Sequence, residues 1–110
     1  MTEATTVIAT YRVKAGSESD FEALLARHWP TLESAGLVSG AQAVVYRGHD
    51  EPGEAVYYEV FDWKDAASPG VAHNTPEVMA IWEPMGALCE VRRGLPAMAF
   101  PHVAKVRLEA

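Results

Sequence analysis

Glu59 stands where the sequence alternates toward an apolar face, between Tyr57 and Phe61. A carboxyl buried in such a setting can accept or donate a proton. It could instead pair across a sheet with Arg47 or Arg12. His73 directly precedes a strongly marked helical stretch, where an imidazole could meet a ligand lying between helix and sheet. Its basicity suits removing a proton from a bound ligand near neutral pH. It could equally bond a backbone carbonyl or face water. Asn74 beside it could donate its amide to an oxyanion or dioxygen adduct, or serve as a turn residue. Trp63, Trp82 and Tyr57 could wall a flat aromatic site, since ligand pockets are mostly apolar with few polar groups, or they could anchor a core or an interface. His28 adds a polar group to the apolar stripe of an earlier helix, as a lining residue or as a hydrogen-bonded histidine of the core edge. The expected catalytic pair is therefore His73 and Glu59, with Trp63, Trp82, Tyr57, Asn74 and His28 as the expected binding residues. His49 reads as a solvated turn residue, and His102 has no assigned role.

Other chemistries find no support. The four histidines are scattered, and no pair has metal-ligand spacing on one helical turn or tight loop, so no metal is expected. No G-x-S-x-G elbow or glycine-rich phosphate loop occurs, and no organic cofactor is expected. A formal charge of −6, from 15 acidic and 9 basic residues, supplies no basic stripe for nucleic acid. The single cysteine, Cys89, lies on an apolar stripe and reads as a small core residue. With no signal-peptide pattern and no long apolar run, the expected location is the cytoplasm and not a membrane.

These residues must be positioned by six elements within a single domain spanning 1–110, a length ordinary for one domain. Thr6–Val13 alternates as a strand. Ser17 or Ser19 can cap a helix with early acids (Glu18, Asp20, Glu22) and a stripe of Phe21, Leu24, Leu25, His28 and Leu32, interrupted by Pro30 and ended at Ala35-Gly36. Ala41–Arg47 and Ala55–Trp63 form a hairpin across the polar turn 48–53. Residues 65–74 are expected as an irregular or short helical approach, with Ser68 and Pro69 as cap and first position. Val78, Ile81, Trp82, Met85, Leu88 and Cys89 then mark one face of a long helix. Thr75 is its expected cap, Pro76 its first position and Pro84 a source of a kink. Arg92 and Arg93 are expected at its carbonyl end. A last strand is expected over Ala97–Leu108, with Pro101 implying an edge or a bulge.

Strand, helix, strand, strand, helix, strand is the order of an α+β, ferredoxin-like βαββαβ sandwich: a four-stranded antiparallel sheet with both helices on one face. The third strand is apolar on both sides, with Tyr57, Phe61 and Trp63 on one face and Val56, Tyr58 and Val60 on the other. A free face would be polar. A second copy of the chain is the expected cover, giving a homodimer packed sheet to sheet.

The run EVFDWKD at 59–65, the pair Ala72-His73, the stretch TPEVMAIWEPM at 75–85 and the turn His28-Trp29-Pro30 resemble the antibiotic biosynthesis monooxygenase-like proteins of the dimeric α/β-barrel superfamily. The resemblance covers nearly the whole chain. It implies a ferredoxin-like protomer whose sheet closes a barrel with its partner's, and a cavity in each protomer between helices and sheet. Characterised relatives oxygenate aromatic polyketides or quinols without metal or organic cofactor, while others degrade haem or only bind ligands. Haem is not expected here, because the Trp63–His73 pair begins on a strand rather than on a helix. Ser68-Pro69-Gly70 departs from the family pattern, in which a helix continues toward the histidine. The function expected is thus a cofactor-independent monooxygenase acting on a small aromatic or quinol substrate; the alternative is a non-catalytic dimeric binding protein for a small apolar ligand.

Overall fold

A computed structural model describes residues 4–109. β1 (Thr5–Arg12) leads into α1 (Glu18–Ser34), followed by β2 (Val38–Glu51) and β3 (Glu54–Trp63), α2 (Ser68–His73), α3 (Pro76–Ala87) and two short strands, β4 (Met98–Ala99) and β5 (His102–Val103). The sheet is antiparallel with order β2-β3-β1, and β4 and β5 both pair with the free side of β1. This is the expected α+β, ferredoxin-like arrangement, with the sheet open rather than closed on itself. Among the described residues no helix is long and apolar enough to cross a membrane.

Alternation places Val7, Ala9 and Tyr11 of β1, and Val13 just past its end, with Tyr57, Glu59, Phe61 and Trp63 of β3 on one face, all buried. Onto this face α1 sends Phe21, Leu25, His28 and Leu32, and α3 sends Val78, Ile81 and Met85. Two apolar clusters result. One gathers around Phe21, Tyr11 and Met85; the other gathers around Leu32, Phe61, Trp63 and Val78, and Trp82 packs against both. The opposite face carries Tyr58, Val44 and Tyr46, all exposed. Gly36 (φ 74°) ends α1 where the sequence placed the stop.

Several local expectations need correction. β2 is longer than Ala41–Arg47, and the polar turn contracts to Pro52-Gly53, with Gly53 at φ 83°. Between Ser39 and Val44, five steps of β2 are matched by the two from Asp62 to Val60; this bulge is accommodated by Gly40 at φ 75°. The final strand does not run from Ala97 to Leu108. Pro101 lacks the N–H needed to continue a ladder and splits it into β4 and β5, although its carbonyl still accepts from Ile8 N at 3.1 Å.

Residues 68–70 do not interrupt the approach to His73, since α2 runs from Ser68 through Pro69 and Gly70 to His73. Ala67 rather than Ser68 holds the cap position, and the accepting oxygen comes from Asp65, which takes hydrogen bonds from Ala67 N, Ser68 N and Ser68 Oγ at 2.9–3.1 Å. These bonds, the Ser68 hydroxyl's foremost, lower the Asp65 carboxyl from its ordinary value. Thr75 and Pro76 do start α3, but the Thr75 hydroxyl donates back to Val71 O at 2.8 Å instead of capping. α3 includes Pro84 and ends at Ala87, so Leu88 and Cys89 lie beyond it.

Arg92 is not at the helix end. Its buried guanidinium donates to Ala55 O and Val13 O and forms an ion pair with Glu90 at 3.0 Å. It ties the segment after α3 to the start of β3 and the end of β1. Arg93, at φ 50°, pairs with Glu54 at 2.9 Å.

Candidate functional site

Behind α3 and α2 lies a cavity of about 310 Å³ against the helix-covered face of the sheet, at the small end of ligand sites, which run from about 300 to 1,000 Å³. Phe61, Trp63 and Tyr11 form its floor, Trp82 and Met85 of α3 one wall, and Met98 and Phe100 of the C-terminal segment another. His73, Glu83 and His102 lie toward the exposed rim. Rings meet at steep angles: Phe61–Trp63 at 65°, Trp63–Trp82 at 87°, His73–Trp82 at 72° and Tyr11–Phe100 at 74°. Edge-to-face contacts of this kind suit the aromatic quadrupole.

One hydrogen-bonded chain stands behind the wall. Trp82 Nε1 donates to His28 Nε2 at 2.8 Å. An indole N–H can only donate, so Nε2 accepts and the proton of a neutral His28 sits on Nδ1. Nδ1 lies 2.9 Å from both oxygens of Glu59, and Tyr11 Oη donates to Glu59 Oε1 at 2.7 Å. Glu59 is fully buried, and each of these neighbours gives it a hydrogen, so it takes part as an acceptor. Burial first, and then the nearby Glu59 carboxylate, raises the Tyr11 phenol well above its ordinary value. Tyr11 therefore keeps its proton.

The cross-sheet arginine partners considered for Glu59 are engaged elsewhere. Arg12 pairs with Asp50 at 3.2 Å and Arg47 with Glu22 at 3.3 Å. Register explains the outcome: Ala9 faces Glu59 across the β1–β3 ladder, so Tyr11 is its diagonal neighbour on the same face. α1 then lays His28 over that face.

The expected site residues divide. His73, Trp63, Trp82 and His28 line the cavity; Glu59 does not, but is joined to it through His28 and Tyr11 and borders the separate groove that Tyr57 faces. His73, at the end of α2, packs its ring against Trp82 with centroids 4.9 Å apart; its imidazole makes no hydrogen bond to another described residue. Tyr57 does not reach the cavity. It faces a separate groove between α1 and β2, where its hydroxyl donates to Glu22 at 2.5 Å; desolvation first, and then Glu22, push its phenol up to about 12. Asn74 is also elsewhere, exposed and donating its amide to Gly70 O at 3.1 Å as a turn residue. Tyr11, Met85, Met98 and Phe100 also line the cavity, although none of them is among the site residues expected from the sequence. For Tyr11 a signal existed, since its alternation puts it on the face shared with Glu59; for Phe100, next to the break at Pro101, none did. Cys89 is buried, which raises its thiol to about 11, so it is a core residue and not a thiolate nucleophile at neutral pH.

No protein-family model and no curated protein matches this sequence. Solved structures do match over almost the whole chain. A candidate antibiotic biosynthesis monooxygenase of Bordetella bronchiseptica is 23% identical, with 96% of this chain and 99% of that one covered and a TM-score of 0.72. SnoaB of Streptomyces nogalater, a cofactor-independent oxygenase, is 16% identical in a variant form, with 96% of each chain covered and a TM-score of 0.68. A candidate antibiotic biosynthesis monooxygenase of Caulobacter crescentus is 17% identical, covering 96% and 92%, with a TM-score of 0.68. The chain thus has the ferredoxin-like fold of the antibiotic biosynthesis monooxygenase proteins. At these identities the likeness carries the fold and not the chemistry.

Proposed function

We propose that this protein is a cofactor-independent monooxygenase acting on a small aromatic or quinol-type substrate. The observation that supports this reading is the aromatic-walled cavity with the unengaged imidazole of His73 in its rim. A phenol lying along Trp82 can give its hydroxyl proton to His73. The phenolate, with carbanion character at a ring carbon, then adds dioxygen. The imidazolium returns the proton to the peroxide, and loss of water leaves a quinone. A phenol with a free para carbon and dioxygen thereby become a quinone and water. Trp63 and Trp82 orient the ring, and Tyr11, Glu59 and His28 hold the wall rigid behind it.

Oxygen uptake with a panel of naphthols, anthrones and hydroquinones tests the reading. A turned-over substrate is expected, and His73→Ala should lower kcat by roughly 10²-fold, the lower end of what a positioned base contributes. Uptake that survives His73→Ala unchanged removes His73 as the base. The second reading, a non-catalytic binding protein for an apolar ligand, draws on a different observation: both His28 nitrogens and the Tyr11 hydroxyl are already engaged. It gains if ligands bind and none consumes oxygen.

Pairing with a second copy belongs to the same reading. Val44, Tyr46 and Tyr58 expose a contiguous apolar face, and sheet-to-sheet packing would cover it. Sedimentation at micromolar concentration should give twice the 12.0 kDa chain mass, and Tyr46→Glu should shift it toward the monomer; a wild-type monomer rejects the dimer. The expected setting is the cytoplasm, where a lone thiol such as Cys89 stays reduced.

A further inference from the structure

The electrostatics of the cavity wall are one-sided. Glu59 is a fully buried carboxylate whose partners, His28 and Tyr11, are donors without a formal charge in the observed hydrogen-bond pattern. No arginine or lysine lines the cavity, and the one ionised side chain at its rim that can take a full charge of fixed sign is Glu83, an acid. The remaining surface is largely π-system. Phe61, Trp63, Trp82 and His73 follow one another in near-perpendicular pairs, and Phe100 closes on Tyr11 from the other side. Rings set at right angles around a small space present it with both faces and edges. The faces carry partial negative charge and attract a cation, most strongly that of an indole.

From this arrangement we infer that the cavity takes an organic cation: a small aromatic molecule bearing a quaternary or protonated amine. Two indoles and a buried carboxylate favour such a ligand over its uncharged isostere, and an anionic ligand meets repulsion from Glu59 and Glu83. An ammonium wrapped in methyl groups is less strongly hydrated than a primary one, so it loses less on entering an apolar space of about 310 Å³, and the indole faces offset part of that loss. The inference rests on the same cavity as the oxygenase reading and adds the class of ligand. It needs no turnover, so the two can fail separately.

The test is a calorimetric and tryptophan-fluorescence titration of the full chain with an isosteric pair, (4-hydroxyphenyl)trimethylammonium and 4-tert-butylphenol, which differ in having nitrogen or carbon at the branch point. The cation should bind about tenfold or more tightly, the scale of a desolvated cation–π contact. Glu83→Gln, at the exposed rim and harmless to folding, should narrow the ratio by a few fold. Trp82→Phe should narrow it further, because phenyl is the weaker π-donor. Equal or tighter binding of the neutral phenol overturns the inference, as does binding of neither compound or a ratio that ignores both substitutions. A preferred cation, with no oxygen uptake by any member of the naphthol, anthrone and hydroquinone panel, rejects the oxygenase reading alone; oxygen uptake by a panel member, with the neutral phenol preferred in the titration, rejects the cation alone.

Discussion

Glu59→Leu should lower the free energy of unfolding by about 3 kcal/mol, because it leaves two buried donors without acceptors, each worth roughly 1–3 kcal/mol. Leucine nearly fills the volume, so no large cavity contributes. The lost carboxylate also needed desolvation, and its removal offsets part of the cost. The donors are the Tyr11 hydroxyl, 2.7 Å from Glu59, and His28 Nδ1, 2.9 Å away. Glu59→Gln should cost less, because its amide oxygen still accepts one bond and the Tyr11 hydroxyl can rotate to accept from the amide nitrogen. The decisive comparison is the pair Tyr11→Phe with Glu59→Leu. Removing the phenol hydroxyl as well as its acceptor should recover about 1 kcal/mol relative to the sum of the single changes. Urea midpoints at fixed protein concentration report the wild type and all four variants. Strict additivity would show that the hydroxyl and carboxylate do not act together.

Arg92→Met should be nearly as damaging, at about 3 kcal/mol. Methionine keeps the apolar stem but removes the donors to Ala55 O and Val13 O, two carbonyls with a buried guanidinium as partner. Glu90, Glu54 and Asp50 also lose their nearest buried cation, though each reaches enough water to be rehydrated in part. Arg93→Met is the control. Arg93 is half-exposed and pairs with Glu54 at the surface, so its loss should leave the midpoint nearly unchanged. Equal effects at the two positions would refute the assignment of Arg92 as the buried tie between the segment after α3 and the sheet.

Much of the fold was legible because it is repeated locally. The alternation of β1 and β3, the stripe of α1 with its stop at Ala35-Gly36, and the Thr75-Pro76 start of α3 each rest on neighbours within a turn or two of the chain. Errors gathered where tertiary contacts override local signs. Residues 65–74 read as an irregular or short helical approach starting from Ser68 and Pro69, and a short helix does run from Ser68 to His73, but the oxygen that meets its first amides comes from Asp65. The arginine doublet reads as a helix end, yet one member is buried in the sheet. Pro101 was visible as a disturbance, but not how little strand would survive on either side.

The site divides along the same line. Composition and pattern by themselves determined that Glu59 sits on an apolar face, that His28 joins an apolar stripe and that aromatic residues gather near His73. They could not determine Glu59's partner, because residues within reach across a sheet or beneath a helix are chosen by register and by where α1 crosses β3. Only the tertiary structure decided that Tyr11, Glu59, His28 and Trp82 form one chain. Its links join residues 48, 31 and 54 positions apart, and no spacing along the sequence encodes a contact that exists only once the helices have closed on the sheet.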